Sequence, residues 1–229
     1  MWQALHEELA PEGLAVITVA IDRSLDDPRP FIEAAGATHP SLVDTEHRVA
    51  DLYNMVNVPT VLWIDEDGRI VRPQDVHYVS NQFASITKFH NRKPIAALRA
   101  WVRDEAPAYP GDVTIDTKVA DDTHQEARAA FAVGWWLSQQ GRAEAAERWF
   151  VRAGELAPHD FTIRRGSMPI RGIDPAGPAF FEMVGDWAAQ GKAYYLPLPD
   201  TATDADDYEA EPIEAVDLAE LRRRIEEGR

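Results

Sequence analysis

The sequence has no cysteine among its 229 residues. Disulfide bonds, thiolate catalysis and cysteine-ligated metal sites are therefore excluded for this chain. Long apolar runs are also absent, because the longest, residues 14–21, has the length of a strand rather than the roughly 20 residues that cross a bilayer. The opening MWQALHEELAPEG has no basic start followed by an apolar stretch, so no signal peptide is predicted. We expect a soluble chain without a membrane span, cytoplasmic as it stands.

Positive charge is scarce. The chain has 23 Lys and Arg against 39 Asp and Glu, and its net charge is -16. Since a polyanion repels a phosphate backbone, nucleic acid is not expected as a partner. Much of the acid lies in residues 200–217 (DTATDADDYEAEPIEAVD). This run predicts a solvated, loosely packed acidic tail over 200–229, with a possible last helix at 213–227.

The motifs of common cofactor sites are missing as well. The sequence has no Walker loop, no GxGxxG and no Ser-His-Asp order, and its seven histidines do not pair at metal-ligand spacing. We therefore predict no cofactor and no metal site. Three arginines near glycines, Arg164, Arg165 and Arg171, could receive an anion, but pairing with the many carboxylates is the favoured interpretation.

Residues 1–105 alternate between helical and strand patterns. The predicted elements, in order, are a helix over 1–10, a strand over 14–21, a helix after Asp27, a helix after Asp44, a strand over 60–64, a turn at Asp67-Gly68, an antiparallel strand over 69–72 and a helix from Pro94. An apolar parallel strand followed by a hairpin, with helices between the strands, predicts an α/β layer architecture.

The second half of the chain has a helical pattern. Residues 106–124 predict a linker, and two helices follow at 125–140 and 143–157, hinged at Gly141. The spacing of small and large residues over 125–160 resembles a tetratricopeptide repeat. The matching positions are Ala130, Val133, Gly134, Leu137, Gly141, Ala146, Phe150, Ala153 and Pro158. Residues 161–199 predict an irregular segment with one further helix, and the tryptophans of this half of the chain are expected in its core.

Two segments carry a resemblance to a known family. They are residues 4–22 (ALHEELAPEGLAVITVAID) and residues 39–71 (HPSLVDTEHRVADLYNMVNVPTVLWIDEDGRIV). Together they resemble the TlpA/ResA-like thiol–disulfide oxidoreductases of the redoxin (AhpC/TSA-type) group. The resemblance implies a thioredoxin-like three-layer α/β fold over 1–105 that lacks its first strand. It also implies a cis bond before Pro59, in a loop whose Val58, Pro59 and Thr60 face the family's thiols and pair with a bound substrate or partner.

The family's first strand and Cys-x-x-Cys motif are expected immediately before Met1. Two explanations remain open. Met1 could be an internal methionine of a longer chain, for example where a selenocysteine codon was taken as a stop, or the protein is a degenerate redoxin. We favour the first explanation, because a parallel sheet without a central strand leaves its apolar neighbours poorly covered.

The two explanations imply two functions. The longer chain would exchange thiols with disulfides, or use a selenol, and would act on a thiol or disulfide protein or on a small peroxide or disulfide. This chain by itself lacks the reacting residue and is expected to be inactive. The alternative is a non-catalytic adaptor that binds a protein partner through the redoxin groove and the repeat-like helices.

Overall fold

The computed structural model describes residues 1–75, 81, 84, 89–116 and 119–210. Within these ranges the protein is a mixed α/β structure with small sheets. The possible last helix at 213–227 lies outside the described residues.

Helices and strands over residues 1–105 follow the predicted order with one addition, because a short strand at Ser41–Val43 separates the two helices predicted after Asp27 and Asp44. They are α1 (Trp2–Leu9), β1 (Thr18–Ala20), α2 (Arg29–Ala34), β2 (Ser41–Val43), α3 (Arg48–Leu52), β3 (Val61–Ile64), β4 (Ile70–Asp75) and α4 (Arg92–Val102). β1 is shorter than the predicted run of residues 14–21, because the chain is still leaving the preceding helical turn at Leu14, whose N–H donates to Leu9 O at 3.1 Å.

The strands form two separate sheets of two strands each. β1 and β2 are parallel, with Thr18 opposite Ser41, whereas β3 and β4 form the predicted antiparallel hairpin. Among the described residues β1 pairs only with β2, and β3 only with β4. The sequence predicted one mixed sheet. The observed strands form two sheets because no described strand lies between β1 and β3 and pairs with both.

One apolar core lies where α1 and α4 pack against the hairpin. Leu5 and Leu9 of α1, Trp63 of β3 and Leu98 of α4 are all buried in it. The indole of Trp101 stacks on Trp63 with 5.0 Å between ring centroids. On the outer surface Arg99 and Arg103 of α4 pair with Glu8 and Glu12. The two helices therefore run side by side over β3.

The outer edge of β1 is expected to promote self-association. Thr18 N–H and Ala20 C=O form hydrogen bonds with the β2 side of the sheet. The backbone groups of Val19, which lies between them, therefore face the opposite edge of β1, where no described strand pairs. Ile17, beside that edge, is 60% exposed. Free strand edges with apolar side chains pair with other chains, whereas an edge lysine discourages pairing.

We therefore expect Ile17→Lys to reduce concentration-dependent association in static light scattering without lowering Tm. Phe31→Lys, which changes an exposed residue of α2, is the matched control and should leave association unchanged. A parent chain that stays monomeric at all concentrations would contradict this expectation.

The second half of the chain is helical. It contains α5 (Val113–Asp116), α6 (Asp122–Gln139), α7 (Ala143–Leu156), α8 (Phe161–Arg164), α9 (Ser167–Ile170), α10 (Pro178–Ala189) and α11 (Ala205–Ala210). The two helices predicted at 125–140 and 143–157 are confirmed as α6 and α7. The predicted linker over 106–124 includes α5 and the first turn of α6. Within the described ranges, no helix has both the length and the apolarity that crossing a bilayer requires.

The α6–α7 hairpin packs through small and large residues at the predicted positions. A Cβ added to Gly134 would lie 3.0 Å from the ring of Phe150, so any larger residue would require that ring to shift. Ala146 and Leu137 are buried in the same cluster. The prediction of core tryptophans is wrong for Trp136, which is 57% exposed, and for Trp149, which is also exposed, because smaller residues already fill the seam between the two helices.

The start of the predicted acidic tail is not loosely packed. Asp200 forms two hydrogen bonds of 2.8 and 2.9 Å with Arg72, and Thr201 and Asp207 are buried. Lys93 pairs with both Asp204 and Asp207. The prediction of loose packing is therefore wrong for residues 200–207, because Asp200, Asp204 and Asp207 pair with basic groups on β4 and α4 while the outer side of the segment stays exposed.

Candidate functional site

The loop between α3 and β3 is the starting point of the candidate site. The Val58–Pro59 bond is cis, as predicted. Asn57, which is buried, accepts Val58 N–H on its side-chain oxygen at 2.8 Å and the hydroxyl of Thr60 on its carbonyl at 2.6 Å. These bonds hold the loop's shape from within. The side chain of Val58, in contrast, is 36% exposed.

Val58 lies on the wall of a cavity of about 740 Å³. The same wall includes Ile21 and Asp22, which follow β1, and Thr45 and His47, which follow β2. The cavity therefore opens at the carboxyl ends of the two parallel strands, the position at which open α/β sheets commonly bind ligands. The structure thus brings Val58, the predicted site residue, together with side chains for which the sequence analysis predicted no role.

The opposite wall comes from the C-terminal half of the chain. Phe161, Ile170 and Ile173 contribute apolar surface, and Trp135 of α6 joins them. A glycine is required at Gly166, where an added Cβ would clash with Thr162 O. The cavity is consequently an interface between the α/β half and the helical half.

Five charged side chains line the cavity, namely Asp22, Arg23, Asp27, Arg165 and Asp174. Arg23 Nε donates to Asp27 Oδ2 at 2.9 Å. Arg165 Nε donates to Pro175 O at 2.9 Å, and its guanidinium lies 4.2 Å from the ring centroid of Phe180. Both arginines are therefore engaged by neighbouring groups.

Asp22 and His47 have shifted protonation equilibria. Burial, reinforced by the nearby Asp27 carboxylate, raises the pKa of Asp22 above its usual value. Burial also lowers the pKa of His47, although Asp44 and Asp160 oppose the change. The His47 ring is therefore neutral at pH 7 and does not balance the carboxylates of the cavity.

The four successive carbonyls of Met55–Val58 all accept hydrogen bonds from within the chain. Met55 O accepts Thr162 Oγ1–H at 3.4 Å, and Val56 O accepts Phe161 N–H at 2.7 Å. Asn57 O accepts the Thr60 hydroxyl, as described above, and Val58 O accepts the hydroxyl of Tyr195 at 3.2 Å. The C-terminal half therefore covers the backbone of the loop.

Tyr194 and Tyr195 form a strap over this loop. The Asn57 side-chain amide donates to Tyr194 O at 2.8 Å. Burial raises the pKa of Tyr195, so its hydroxyl remains a donor toward Val58 O across the neutral pH range. The strap therefore covers the Val58 carbonyl and the Asn57 side-chain amide.

A buried histidine–aspartate pair anchors the helical half beside the loop. Asp160 is fully buried, and its Oδ1 accepts the backbone N–H groups of Thr162 at 2.9 Å and Ile163 at 3.2 Å. His124 Nε2 donates to Oδ2 at 2.7 Å. Asp160 thus caps α8 and ties it to α6 through one carboxylate.

Arg128 of α6 completes this junction. Its guanidinium donates to Asp51 O at 2.8 Å and to Asn54 Oδ1 at 2.9 Å, and its side chain is largely buried. Since Asp51 and Asn54 lead directly into the cis-proline loop, α6 positions that loop.

The predicted site residues have different outcomes. Pro59 and Thr60 shape the loop, while Val58 reaches the cavity. Arg165 reaches the cavity too, whereas Arg171 pairs with Glu147 at 2.6 Å, as the favoured structural interpretation predicted. Arg164 donates to Pro158 O. The sequence analysis missed Asp160, whose position before a short apolar helix was the available N-cap signal.

The cavity has the size of a small-molecule site, and the sequence provides no cysteine to line it. Its walls are apolar with an excess of carboxylates, and among the described residues no His, Asp and Glu side chains converge as metal ligands do. A scan against protein-family models, a search of curated proteins and a search of solved structures each found no match to this chain.

Proposed function

We propose that this chain is the substrate-binding part of a redoxin-like thiol–disulfide oxidoreductase. The reacting thiol or selenol is supplied from outside these 229 residues. The observation that carries the proposal is the cis Val58–Pro59 loop, placed beside a cavity at the carboxyl ends of two parallel strands. The edges of β1 and β3 that pair with no strand among the described residues also support it, because each can accept a further strand.

In the proposed reaction the external thiolate or selenolate attacks one sulfur of a bound disulfide. The S–S bond breaks as a mixed disulfide, or selenenyl sulfide, forms, and the second sulfur leaves as a thiolate. A resolving thiol, also supplied from outside these residues, attacks the mixed disulfide, forms a disulfide or selenenyl sulfide with the reacting residue and releases the bound half of the substrate as a thiol. An external dithiol such as dithiothreitol then reduces that bond and regenerates the reacting group. The chain's own contribution is to hold the disulfide against Val58 and the apolar walls, where water is partly excluded.

The test compares this chain with the protein extended upstream to an in-frame cysteine or selenocysteine. We expect the 229-residue chain to reduce no disulfide and to consume no peroxide, because it holds no thiol. The extended protein should catalyse the reduction of a disulfide substrate by dithiothreitol. A matched extension with serine in place of the reacting residue should be inactive.

Two results would contradict the proposal. One is measurable turnover by the 229-residue chain after contaminants are excluded. The other is a genomic sequence with an in-frame stop codon and a ribosome-binding site directly before Met1, with no redox residue encoded in between.

A non-catalytic adaptor is the second candidate. It is favoured by the exposed indoles of Trp136 and Trp149 on the helical hairpin and by the internal coverage of the cis-proline loop. Large exposed aromatic side chains are enriched in protein interfaces. The upstream genomic sequence distinguishes the candidates, since an adaptor needs no redox residue there.

A further inference from the structure

The cavity beside Val58 has features that select among the possible substrates. We propose that it binds a small disulfide carrying amino groups, rather than the disulfide of a protein. This inference rests on the proposed function, and three observations support it: the coverage of the loop backbone, the size of the cavity and its charge.

Much of the loop backbone is already hydrogen-bonded within the chain. Recognition of an extended peptide depends on free main-chain donors and acceptors. The carbonyls of Met55–Val58 already accept hydrogen bonds, and Val58 N–H donates to the Asn57 side chain. A peptide would have to displace Tyr194 and Tyr195, together with the bonds of 2.8 and 3.2 Å that they form with the loop.

The size of the cavity fits a small molecule. Its volume of about 740 Å³ lies within the range of roughly 300–1,000 Å³ that is usual for small-molecule sites. Ile21, Val58 and Phe161 line it with apolar surface. A short aliphatic chain and an S–S group can make contact there without leaving a polar atom unpaired.

The charge of the cavity favours a cation. Its walls hold three carboxylates and two guanidinium groups, and the two arginines are already engaged as described. The Asp22 carboxylate accepts no hydrogen bond from another described residue. An ammonium group close to it would donate a hydrogen bond to this carboxylate and form an ion pair with it. The net charge of -16 also raises the local concentration of cations over the whole surface.

The experiment is isothermal titration calorimetry on the 229-residue chain, because binding needs no thiol. The probes are cystamine, which is a diamino disulfide, oxidised glutathione, which is anionic, and 1,6-diaminohexane, which has the same charge as cystamine but no disulfide. We expect cystamine to bind most tightly. Asp22→Asn should weaken its binding about fivefold, with Tm unchanged.

Asp26→Asn is the matched control. Asp26 lies four residues after Asp22, its side chain is 86% exposed, and it is not part of the cavity wall. The inference would be overturned if oxidised glutathione bound more tightly than cystamine, or if 1,6-diaminohexane bound as tightly as cystamine. Equal effects of Asp22→Asn and Asp26→Asn on cystamine binding would also overturn it.

The activity of the extended protein separates this inference from the proposed function. Reduction of insulin by the extended protein, without cystamine binding to the chain, would overturn the inference and leave the proposed function in place. Cystamine binding that depends on Asp22, without turnover of any disulfide by the extended protein, would support the ligand class and contradict the proposed function.

Discussion

Replacing Arg72 by alanine is expected to lower the free energy of unfolding by about 3–5 kcal/mol, the range observed when one partner of a buried ion pair is removed. Arg72 on β4 is only 1% exposed. Its guanidinium bonds Asp75, Asp200 and Ala108 O, and it lies 4.8 Å from the ring centroid of Trp63. When Arg72 is removed, the carboxylate of Asp75, which is also 1% exposed, loses the guanidinium that compensates its charge and stays buried beside Asp200.

The measurement is urea denaturation followed by tryptophan fluorescence and circular dichroism. Arg69→Ala, an exposed arginine of the same hairpin, is the control and should change stability by no more than about 0.5 kcal/mol. Limited proteolysis provides a second readout, because loss of the Arg72–Asp200 pair should expose residues 199–207 to cleavage before the rest of the protein unfolds. Similar stabilities of the two variants would show that the tail does not depend on Arg72.

Replacing Asp160 by alanine is expected to cost about 3 kcal/mol of unfolding free energy. Loss of the α8 cap contributes about 1 kcal/mol. The remainder comes from buried donors that lose their acceptor, chiefly the His124 ring and the Thr162 hydroxyl, at about 1–3 kcal/mol for such groups together. Since Phe161 and Thr162 bond the carbonyls of Val56 and Met55, the cis-proline loop should loosen as well.

Asp121→Ala is the matched control for this position. Asp121 caps α6 through one bond to His124 N–H at 2.8 Å, but it lies at the surface. We expect it to cost about 1 kcal/mol. Hydrogen exchange measures the local effect: the amides of residues 55–58 and of Thr60 should exchange faster in Asp160→Ala and remain unchanged in Asp121→Ala. Equal stability losses in both variants would mean that the buried pair does not anchor the loop.

Local patterns were sufficient to predict the order of the elements apart from β2, a strand of three residues. The Asp67-Gly68 turn, the apolar period of α4 and the small residues of the α6–α7 hairpin depend on neighbours within a few residues or one turn of helix. Gly134 was predictable for the same reason, since close helix packing requires a small residue wherever it occurs. The cis bond before Pro59 followed from the resemblance, and its position in the chain was correct.

Features that depend on distant partners could not be predicted in this way. The sequence near Asp200 indicates only acidity. Whether those carboxylates meet solvent or a buried guanidinium depends on Arg72, which lies 128 residues earlier in the chain. Trp136 and Trp149 were expected in the core because they are large and apolar, but smaller residues had already filled the helical seam.

The sequence by itself therefore determined most of the element order, the absence of cysteine and the loop at Pro59. Only the tertiary structure decided that the helical half lies against that loop. It brought Asp22, Val58 and Phe161 to one cavity and placed the Tyr195 hydroxyl on Val58 O. The physical reason is that these contacts join residues more than 30 positions apart in the chain. Periodicity and local propensity depend on near neighbours, so they do not indicate which distant surfaces pack against each other and exclude water.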